Sequence, residues 1–254
     1  MPVQNSTQRF SSRVADYVRH RPGYPHEILD LLRKECRLTA DSVIADIASG
    51  TGIFTHLLLE NGNRVFGVEP NAEMRKAAEG FLAAFPRFTS VATTAEATTL
   101  QQKSVDFVTA AQAAHWFDRE KARIEFQRIL KPDGWLVLVW NERLTDSTPF
   151  LRDYEKLLLT FGTDYQEVRH ERTTQEIAAL FAPSRFQERR FENRQEVGYE
   201  GLKGRLVSSS YTPTPENPRY EPMLAELHRI YEAHRVDGFV VLEYATRVYF
   251  GQLG

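Results

Sequence analysis

The hydrophobic and polar positions of the chain follow two alternating patterns, which predict strands and helices in turn. Short apolar runs bounded by polar residues predict strands near 43–47, 64–69, 88–92, 105–110 and 135–140. Segments with one apolar face predict helices between them, near 52–60, 72–84 and 119–130. Strands and helices that alternate in this way form a parallel sheet with helices on both faces, so we expect an α/β fold.

The two ends of the chain have a less regular pattern. Helices are predicted near 13–19, 25–34, 149–161, 173–181, 199–206 and 220–235, and further strands over 186–197 and 239–250. We expect these two strands to pair like a hairpin at one edge of the sheet, with an exposed edge near Phe250. The chain thus divides into an N-terminal helical segment (1–41), a central core (42–141) and a C-terminal part (142–254) whose inserted helices cover the sheet as a lid.

Two short segments carry turn signals. Asn61-Gly62 predicts the end of a helix, because glycine adopts the left-handed conformation that often ends helices. Lys131-Pro132-Asp133-Gly134 predicts a turn with proline at its second position. Both signals lie between predicted elements and support the boundaries given above.

The segment Val43–Phe54 carries the strongest functional signal. An apolar strand ends at Asp46, and Gly50 and Gly52 then form a short turn that leads into an apolar helix. Glycines let the backbone turn sharply and approach a ligand, and a helix start offers free N–H groups. The second strand ends at Glu69, where nucleotide-binding α/β folds place a carboxylate for the ribose hydroxyls. The pattern therefore predicts a nucleotide cradle.

Two residues argue against a dinucleotide in this cradle. Thr55 stands where the third glycine of a dinucleotide fingerprint is expected. Asp46, at the mouth of the loop, would repel a pyrophosphate but would favour a ligand that carries positive charge. S-adenosylmethionine has a sulfonium and an ammonium group, and its ribose diol suits Glu69. We therefore expect S-adenosylmethionine as the cofactor.

The motifs occur in the order found in a known family. Asp46-Ile47-Ala48-Ser49-Gly50-Thr51-Gly52, Gly67–Met74, Thr94–Ala97, Ala111–Phe117 and Leu130–Leu138 together resemble the class I S-adenosylmethionine-dependent methyltransferases of type 11. One departure is Ala48, where the family usually has glycine. The resemblance implies a Rossmann-like, seven-stranded, mostly parallel sheet with helices on both faces and a helical cap over the site. It also implies similarity to small-molecule methyltransferases such as those that act on trans-aconitate.

The resemblance assigns candidate residues to the cofactor and the acceptor. The candidate cofactor-binding residues are Tyr17, Arg21, Asp46, Ala48, Ser49, Gly50, Thr51, Gly52, Glu69, Pro70, Met74, Ala95, Glu96, Ala111 and Gln112. The candidate acceptor-binding residues are Tyr24, His115, Trp116, Arg143, Arg205 and Tyr211. The arginines suit a small acid, because guanidinium pairs well with carboxylate. Each of them also fits an ordinary surface position.

Two segments leave a functional and a structural interpretation open. His20–Pro25 contains Arg21, which either meets a carboxylate of cofactor or substrate or belongs to a linker stiffened by prolines. His115, after the fourth strand, is a possible general base, and pocket lining by His115 and Trp116 is the favoured alternative. The other histidines lack the spacing of metal ligands, so no metal site is expected.

Composition and charge limit the compartment of the protein and the partners that it binds. The 254 residues carry a net charge of −2 and a single cysteine, Cys36, which favours a reducing compartment such as the cytoplasm. No apolar run reaches the roughly 18 residues of a membrane span, and no signal-peptide core is evident. The near-neutral charge argues against nucleic acid as a partner, although Arg185, Arg189 and Arg190 could form a basic patch.

The sequence therefore predicts a methyltransferase that uses S-adenosylmethionine. We expect transfer to a small molecule, at a carboxylate or hydroxyl oxygen, by in-line displacement. The alternatives are a noncatalytic module that binds S-adenosylmethionine, an NAD-linked oxidoreductase and a nucleic-acid methyltransferase. The oligomeric state stays open between monomer and homodimer, and the acceptor is not specified by any motif.

Overall fold

The computed structural model describes residues 21–163, 165, 173–209 and 211–254. Its helices are α1 (Glu27–Cys36), α2 (Ile53–Glu60), α3 (Ala72–Phe81), α4 (Arg119–Ile129), α5 (Pro149–Phe161), α6 (Thr173–Phe181), α7 (Tyr199–Val207) and α8 (Tyr220–His234). Its strands are β1 (Val43–Ile47), β2 (Arg64–Val68), β3 (Phe88–Val91), β4 (Val105–Ala111), β5 (Leu130–Arg143), β6 (Gln187–Val197) and β7 (Val240–Gln252). The predicted helix near 13–19 and Tyr17 lie outside the described residues.

Across the described residues, seven strands form one sheet in the order β3-β2-β1-β4-β5-β7-β6. The first five strands are parallel, and β7 pairs antiparallel with both β5 and β6. The order reverses between β1 and β4, where an open α/β sheet binds its ligands beyond the carboxyl ends of the strands. The expected α/β, seven-stranded, mostly parallel fold is confirmed.

Two apolar clusters cover the two faces of the sheet. On one face, α1 and α2 pack against β1, with Leu32, Leu58 and Ile44 each fully buried. On the other face, α4 and α6 pack against β4 and β5, with Phe126, Phe181 and Leu136 fully buried. Each fully buried side chain of this size contributes about 1.5–3 kcal/mol. Helices on both faces follow directly from the apolar faces visible in the sequence.

A third apolar cluster forms the cap, which we define as helices α5, α7 and α8. Leu158, Leu202 and Leu227 from these helices pack with Leu242 of β7. Because β7 is antiparallel to β5, its first residues lie beside the carboxyl end of β5, where Arg143 is opposite Tyr244. The cap is therefore built at the ligand-binding edge of the sheet, as the resemblance implied.

Two expectations about local structure were wrong. The predicted turn at 131–134 lies inside β5 as a bulge, because Val105 pairs with Leu130 while Phe107 pairs with Trp135. Lys131 is held there by its ion pair with Asp106, at 2.7 Å between Nζ and Oδ1. The exposed edge was also misplaced, because Phe250 lies on β7 between β5 and β6 and is fully buried. The edge strand at this end of the sheet is β6, and β3 is the edge strand at the other end.

None of the helices in the described parts of the chain is both long and apolar enough to cross a lipid bilayer.

Candidate functional site

The loop between β1 and α2 turns through three left-handed residues. Ala48 has φ +52°, Gly50 +57° and Gly52 +86°. A Cβ atom on Gly52 would lie 2.8 Å from Cδ1 of Leu82, so glycine is required there for α2 to pack closely. A Cβ on Gly50 would meet nothing within 4 Å, which means that the backbone at Gly50 faces open space. The loop can therefore receive a ligand against its main chain.

Asp46 lies beneath this loop and is only 1% exposed. Its Oδ2 accepts a hydrogen bond from Thr55 Oγ1 at 2.6 Å, and its Oδ1 accepts one from Thr109 Oγ1 at 2.8 Å. Burial raises the pKa of Asp46 to about 6, against the lowering effect of the two hydroxyls. Near neutral pH the cradle thus holds a buried carboxylate that is stabilised by neutral donors.

The structure explains why a threonine occupies position 55, which the sequence did not reveal. The residue is fully buried and ties the first turn of α2 to the end of β1 through Asp46. Thr109 ties β4 to the same carboxylate. Sequence reasoning used Thr55 only as a departure from a dinucleotide fingerprint and did not single out Thr109. A polar residue at a buried position of an apolar strand was the available signal for Thr109.

Glu69 follows β2 and brings a second carboxylate to the cradle. Its Oε2 accepts a hydrogen bond from the Gly50 N–H at 3.0 Å, and its Oε1 accepts one from the Asn71 N–H at 2.8 Å. Burial raises its pKa, while these two N–H donors oppose the shift. Glu69 is 8% exposed and keeps unused lone pairs on both oxygens. The geometry brings Glu69 and the glycine loop together, as predicted.

The neighbouring loop residues test the fit of a nucleotide-type cofactor. Thr51 is 1% exposed, and its Oγ1 has no hydrogen-bond partner among the described residues. The Ser49 N–H donates to Val68 O at 3.1 Å, which joins the loop to β2. No side chain caps the start of α2 at Gly52. The cradle thus offers the open backbone at Gly50, the unbonded hydroxyl of Thr51 and the carboxylate of Glu69 for a ribose diol. These groups fit S-adenosylmethionine.

The candidate residues after β2 lie at the start of α3 and are held by a cap. Asn71 Oδ1 accepts from the N–H groups of Glu73 and Met74, both at 3.0 Å. Met74 is 6% exposed, and Pro70 precedes the cap on the surface. Arg75 Nη1 donates to the carbonyls of Glu69 and Pro70, each at 2.8 Å. These bonds fix the chain on which Glu69 is carried.

Four more candidate cofactor residues lie after β3 and at the end of β4. Ala95 is buried, and Glu96 Oε1 accepts from the Asp118 N–H at 3.0 Å. Ala111 ends β4, and Gln112 follows with φ +58°, a conformation that costs free energy for any residue except glycine. Gln112 is held in it by its N–H bond to Val139 O at 2.9 Å. Backbone strain at this position is a feature of functional sites.

His115 lies in a short 3₁₀ helix (Ala114–Trp116) at the rim of the site. Its ring centroid is 4.4 Å from that of Trp116 and 5.3 Å from that of Trp140, which is on β5. His115 is exposed, as is Trp116 at 36%. The segment thus forms an aromatic rim, and its place fits pocket lining, the interpretation that the sequence favoured.

The segment before α1 crosses the carboxyl ends of the strands. Gly23 O accepts from Asn141 Nδ2 at 3.1 Å and from Asn193 Nδ2 at 2.9 Å, which ties this segment to β5 and β6. Tyr24 packs edge-on against Phe54 of α2, with 4.9 Å between ring centroids. Arg21 is half-buried and acts electrostatically on Tyr244. Tyr24 therefore lies on the cofactor side of the site and Arg21 on the cap side.

Arg143, Arg205 and Tyr211, expected to bind the acceptor, lie in one cluster beneath the cap. The Arg143 guanidinium forms an ion pair with Glu155. Its Nη2 also donates to Tyr165 Oη at 2.9 Å. Tyr165 and Tyr211 have ring centroids 4.9 Å apart. Arg205 Cζ lies 5.1 Å from the ring centroid of Tyr244. A solvated surface position was the favoured interpretation for each arginine, and it is wrong for Arg143 and Arg205, because both side chains are buried.

Sequence reasoning missed the partners that hold this cluster. These partners are Tyr154 and Glu155 on α5 and Tyr244 on β7. Each lies more than ten residues along the chain from either arginine. The only available signal was the single acid on the apolar face of α5. Asn141 was also missed; its Oδ1 accepts from Thr246 Oγ1 at 2.5 Å, and its carbonyl accepts from Gln112 Nε2 at 3.0 Å.

No three His, Cys, Asp or Glu side chains of the described ranges gather in a way that could hold a metal ion.

Comparison with known proteins supports a cofactor-binding interpretation of this site. Residues 45–138 match the family model described as a methyltransferase domain, of type 11. A Schizosaccharomyces pombe protein described as an uncharacterized methyltransferase-like protein is 35% identical over 165 residues, covering 65% of this chain and 63% of the relative. The chain spans 63% of that relative's length and 52% of the next curated relatives.

Solved structures share the fold along most of the chain. A candidate type II methyltransferase from Anaeromyxobacter dehalogenans has a TM-score of 0.69 and 24% identity, covering 92% of this chain and 98% of its own. Phosphoethanolamine N-methyltransferase 2 of Haemonchus contortus, solved with S-adenosylmethionine, has a TM-score of 0.53 and 17% identity, covering 97% of this chain and 58% of its own. At these identities the likeness concerns the fold. The family match thus assigns a methyltransferase domain to residues 45–138, and the solved structures show that the chain shares their fold.

Proposed function

We propose that the protein transfers a methyl group from S-adenosylmethionine to an oxygen atom of a small molecule. The observation that carries the proposal is the pair of buried carboxylates, Asp46 and Glu69, on either side of a glycine loop with an open backbone. Buried negative charge suits a cofactor with two cationic groups and a diol, and it opposes a pyrophosphate. The fold and the family match support the same reaction class.

Each part of the cradle has a separate role in the proposal. Glu69 accepts hydrogen bonds from the ribose hydroxyls, and the N–H groups at Gly50 and Asn71 orient its carboxylate. Asp46 supplies negative charge from beneath the loop, and Thr55 and Thr109 fix its orientation. When bound, the cofactor supplies an activated methyl group on a sulfonium. The chain mainly has to align an acceptor with it, and alignment alone can supply roughly 7–11 kcal/mol.

The rim and the cap serve the acceptor in this proposal. His115 and Trp116 line the entrance beside Trp140, and His115 is not required as a base when the acceptor is a carboxylate. The net charge of −2 supports a small molecule over nucleic acid. Cys36 is the single cysteine of the sequence, which supports a reducing compartment such as the cytoplasm.

A methyl-transfer assay with a panel of acceptors tests the proposal. Purified protein is incubated with S-adenosylmethionine labelled in its methyl group and with small carboxylic acids or hydroxylated compounds, and labelled products are identified by mass spectrometry. We expect an alkali-labile methyl ester or a stable methyl ether from at least one acceptor. Label on nitrogen or on a macromolecule would contradict the oxygen and small-molecule parts. Cofactor binding without transfer across the panel would favour a noncatalytic binding module.

A further inference from the structure

Arg205 on α7 is a buried cation without an acid beside it. The residue is 8% exposed, and its Nη1 is buried and has no hydrogen-bond partner among the described residues. Its contact within the described chain is the face of Tyr244, 5.1 Å from Cζ to the ring centroid. Burying a charge is costly unless it is paired and hydrogen-bonded. Arg205 therefore keeps a guanidinium that has donors to spare.

Arg143 provides an internal comparison, because it is equally buried but fully paired. Its side chain is 9% exposed, as is that of Glu155, with which it forms an ion pair. Tyr165 Oη accepts from Arg143 and donates to Glu155 Oε2 at 2.7 Å. Among the described residues, Arg143 forms the ion pair with Glu155, and Arg205 forms none. The remaining positive charge lies on Arg205.

Two buried tyrosines beneath the cap lie close to both arginines. Tyr154 of α5 is 3% exposed, and both Arg205 and Arg143 act electrostatically on it. Tyr244 is influenced by Arg205, Arg143 and Arg21 in the same way. Because Tyr244 lies opposite Arg143 in the β5–β7 pair, the cluster is fixed at the carboxyl end of β5.

A short path connects this cluster to the cradle. Gln112, directly after β4, donates to Asn141 O on β5 at 3.0 Å. Arg143 follows Asn141 by two residues, which is roughly 7 Å along a strand. Asp46 and Thr109 pair on the adjacent strands β1 and β4. The positive cluster thus lies at the same edge of the sheet as the negative cradle, a few side chains away.

We propose that Arg205 binds a carboxylate of the acceptor molecule, and that this carboxylate is a recognition group distinct from the atom that is methylated. The proposal rests on the proposed function, since it assigns the acceptor of that reaction. A planar guanidinium with free donors binds a carboxylate in a bidentate manner. A carboxylate held by two charge-assisted hydrogen bonds is a weaker nucleophile than a free one, so we assign methylation to another oxygen. The acceptor is therefore an acid with a second oxygen function.

The test uses citrate as a probe acid, with its trimethyl ester as the uncharged match. Both are titrated by calorimetry into the protein saturated with S-adenosylhomocysteine, at constant ionic strength. We expect citrate to bind and the ester not to bind, with the Arg205→Met variant at least tenfold weaker for citrate. Inorganic phosphate in a parallel titration separates carboxylate recognition from general anion binding; equal affinity for phosphate would overturn the carboxylate part.

The matched controls are Arg190→Met and Arg205→Lys. Arg190 is exposed on β6, so its replacement removes the same charge without touching the cluster and is expected to leave citrate binding unchanged. Arg205→Lys keeps the positive charge but loses the two parallel N–H donors of the guanidinium, so we expect intermediate affinity for citrate. Should Arg205→Met not fold, citrate is expected to slow modification of Arg205 by phenylglyoxal in the unaltered protein, as followed by peptide mass spectrometry.

The outcomes separate this inference from the proposed function. Equal citrate affinity in the unaltered protein and in Arg205→Met, or no protection of Arg205, would overturn the inference while S-adenosylhomocysteine still binds. Failure of S-adenosylhomocysteine to bind the unaltered protein would instead overturn the proposed function.

Discussion

The cradle and the cap bury charges of opposite sign at the same edge of one sheet. In the cradle, Asp46 and Glu69 are held by hydroxyls and backbone N–H groups. In the arginine cluster, one of two buried cations is matched by Glu155, and Arg205 is not. The two proposals explain this difference by two ligands of different charge, a cationic cofactor on one side and an anionic acceptor on the other.

The largest expected effect comes from breaking the matched pair. Arg143→Met removes the cation that forms the ion pair with buried Glu155, and breaking a buried pair typically costs about 3–5 kcal/mol of unfolding free energy. Urea unfolding followed by circular dichroism measures the loss. A change below about 0.5 kcal/mol would mean that the pair is not a structural element of the cap.

Arg205→Met is the companion variant in the same experiment. Because Arg205 has no acid to leave behind, we expect its replacement by an apolar side chain to lower stability by less than about 1 kcal/mol, or to raise it. A loss as large as that of Arg143→Met would contradict the difference between the two arginines.

Glu69 gives the largest expected effect on the cofactor side. Glu69→Gln removes the charged acceptor of two hydrogen bonds, each worth about 1.5 kcal/mol or more, so we expect roughly 100-fold weaker binding of S-adenosylhomocysteine. Calorimetry measures the affinity. Glu60→Gln, at the exposed end of α2, is the control and should bind normally. Unchanged affinity in Glu69→Gln would show that Glu69 does not bind the cofactor.

Asp46 predicts a pH dependence of stability. Its native pKa is raised from 3.8 to about 6, so the native state binds the proton more tightly than the unfolded state does. The stability that this proton contributes is present at low pH and is lost as pH rises through about 6. Between pH 5 and 7 the loss is on the order of 1 kcal/mol.

Asp46→Asn isolates this effect, because it removes the titrating group. The stability difference between Asp46→Asn and the unaltered protein, measured by urea unfolding, should shift by that amount in favour of the variant from pH 5 to pH 7. A difference that does not change with pH would show that Asp46 does not titrate in this range.

Ala48→Gly gives the smallest expected effect. Ala48 has a left-handed backbone, which costs an L-residue roughly 1–2 kcal/mol, and glycine recovers part of this after its own entropy cost. We expect a gain of about 0.5–1 kcal/mol by urea unfolding. Ala122→Gly, in the middle of α4, is the control and should lose stability. A loss in Ala48→Gly would mean that the loop relaxes around alanine.

The sequence predicted the elements well because strand and helix periodicities are local. Helices α2 and α5 and strands β6 and β7 begin and end within about two residues of their predicted positions. The turn expected at 131–134 was wrong because the pairing of β5 with β4 continues across it as a bulge. Phe250 was misplaced because periodicity does not reveal the order of strands in a sheet.

The site was predictable only in part, for a similar reason. The glycine loop and Glu69 were visible because they lie in one contiguous motif at strand ends. The burial of Asp46 between Thr55 and Thr109, and the pairing of Arg143 with Glu155, depend on contacts between distant segments. Nothing local in the sequence distinguishes Arg143 from Arg205, and only the fold separates them.

Calorimetry with three nucleotides tests the central claim most directly. S-adenosylmethionine, S-adenosylhomocysteine and NAD are titrated separately into the purified protein at neutral pH. The two charged carboxylates beneath and beside the glycine loop predict micromolar binding of the first two and no binding of NAD. Tight binding of NAD, or binding of none of the three, would contradict the assignment of this site.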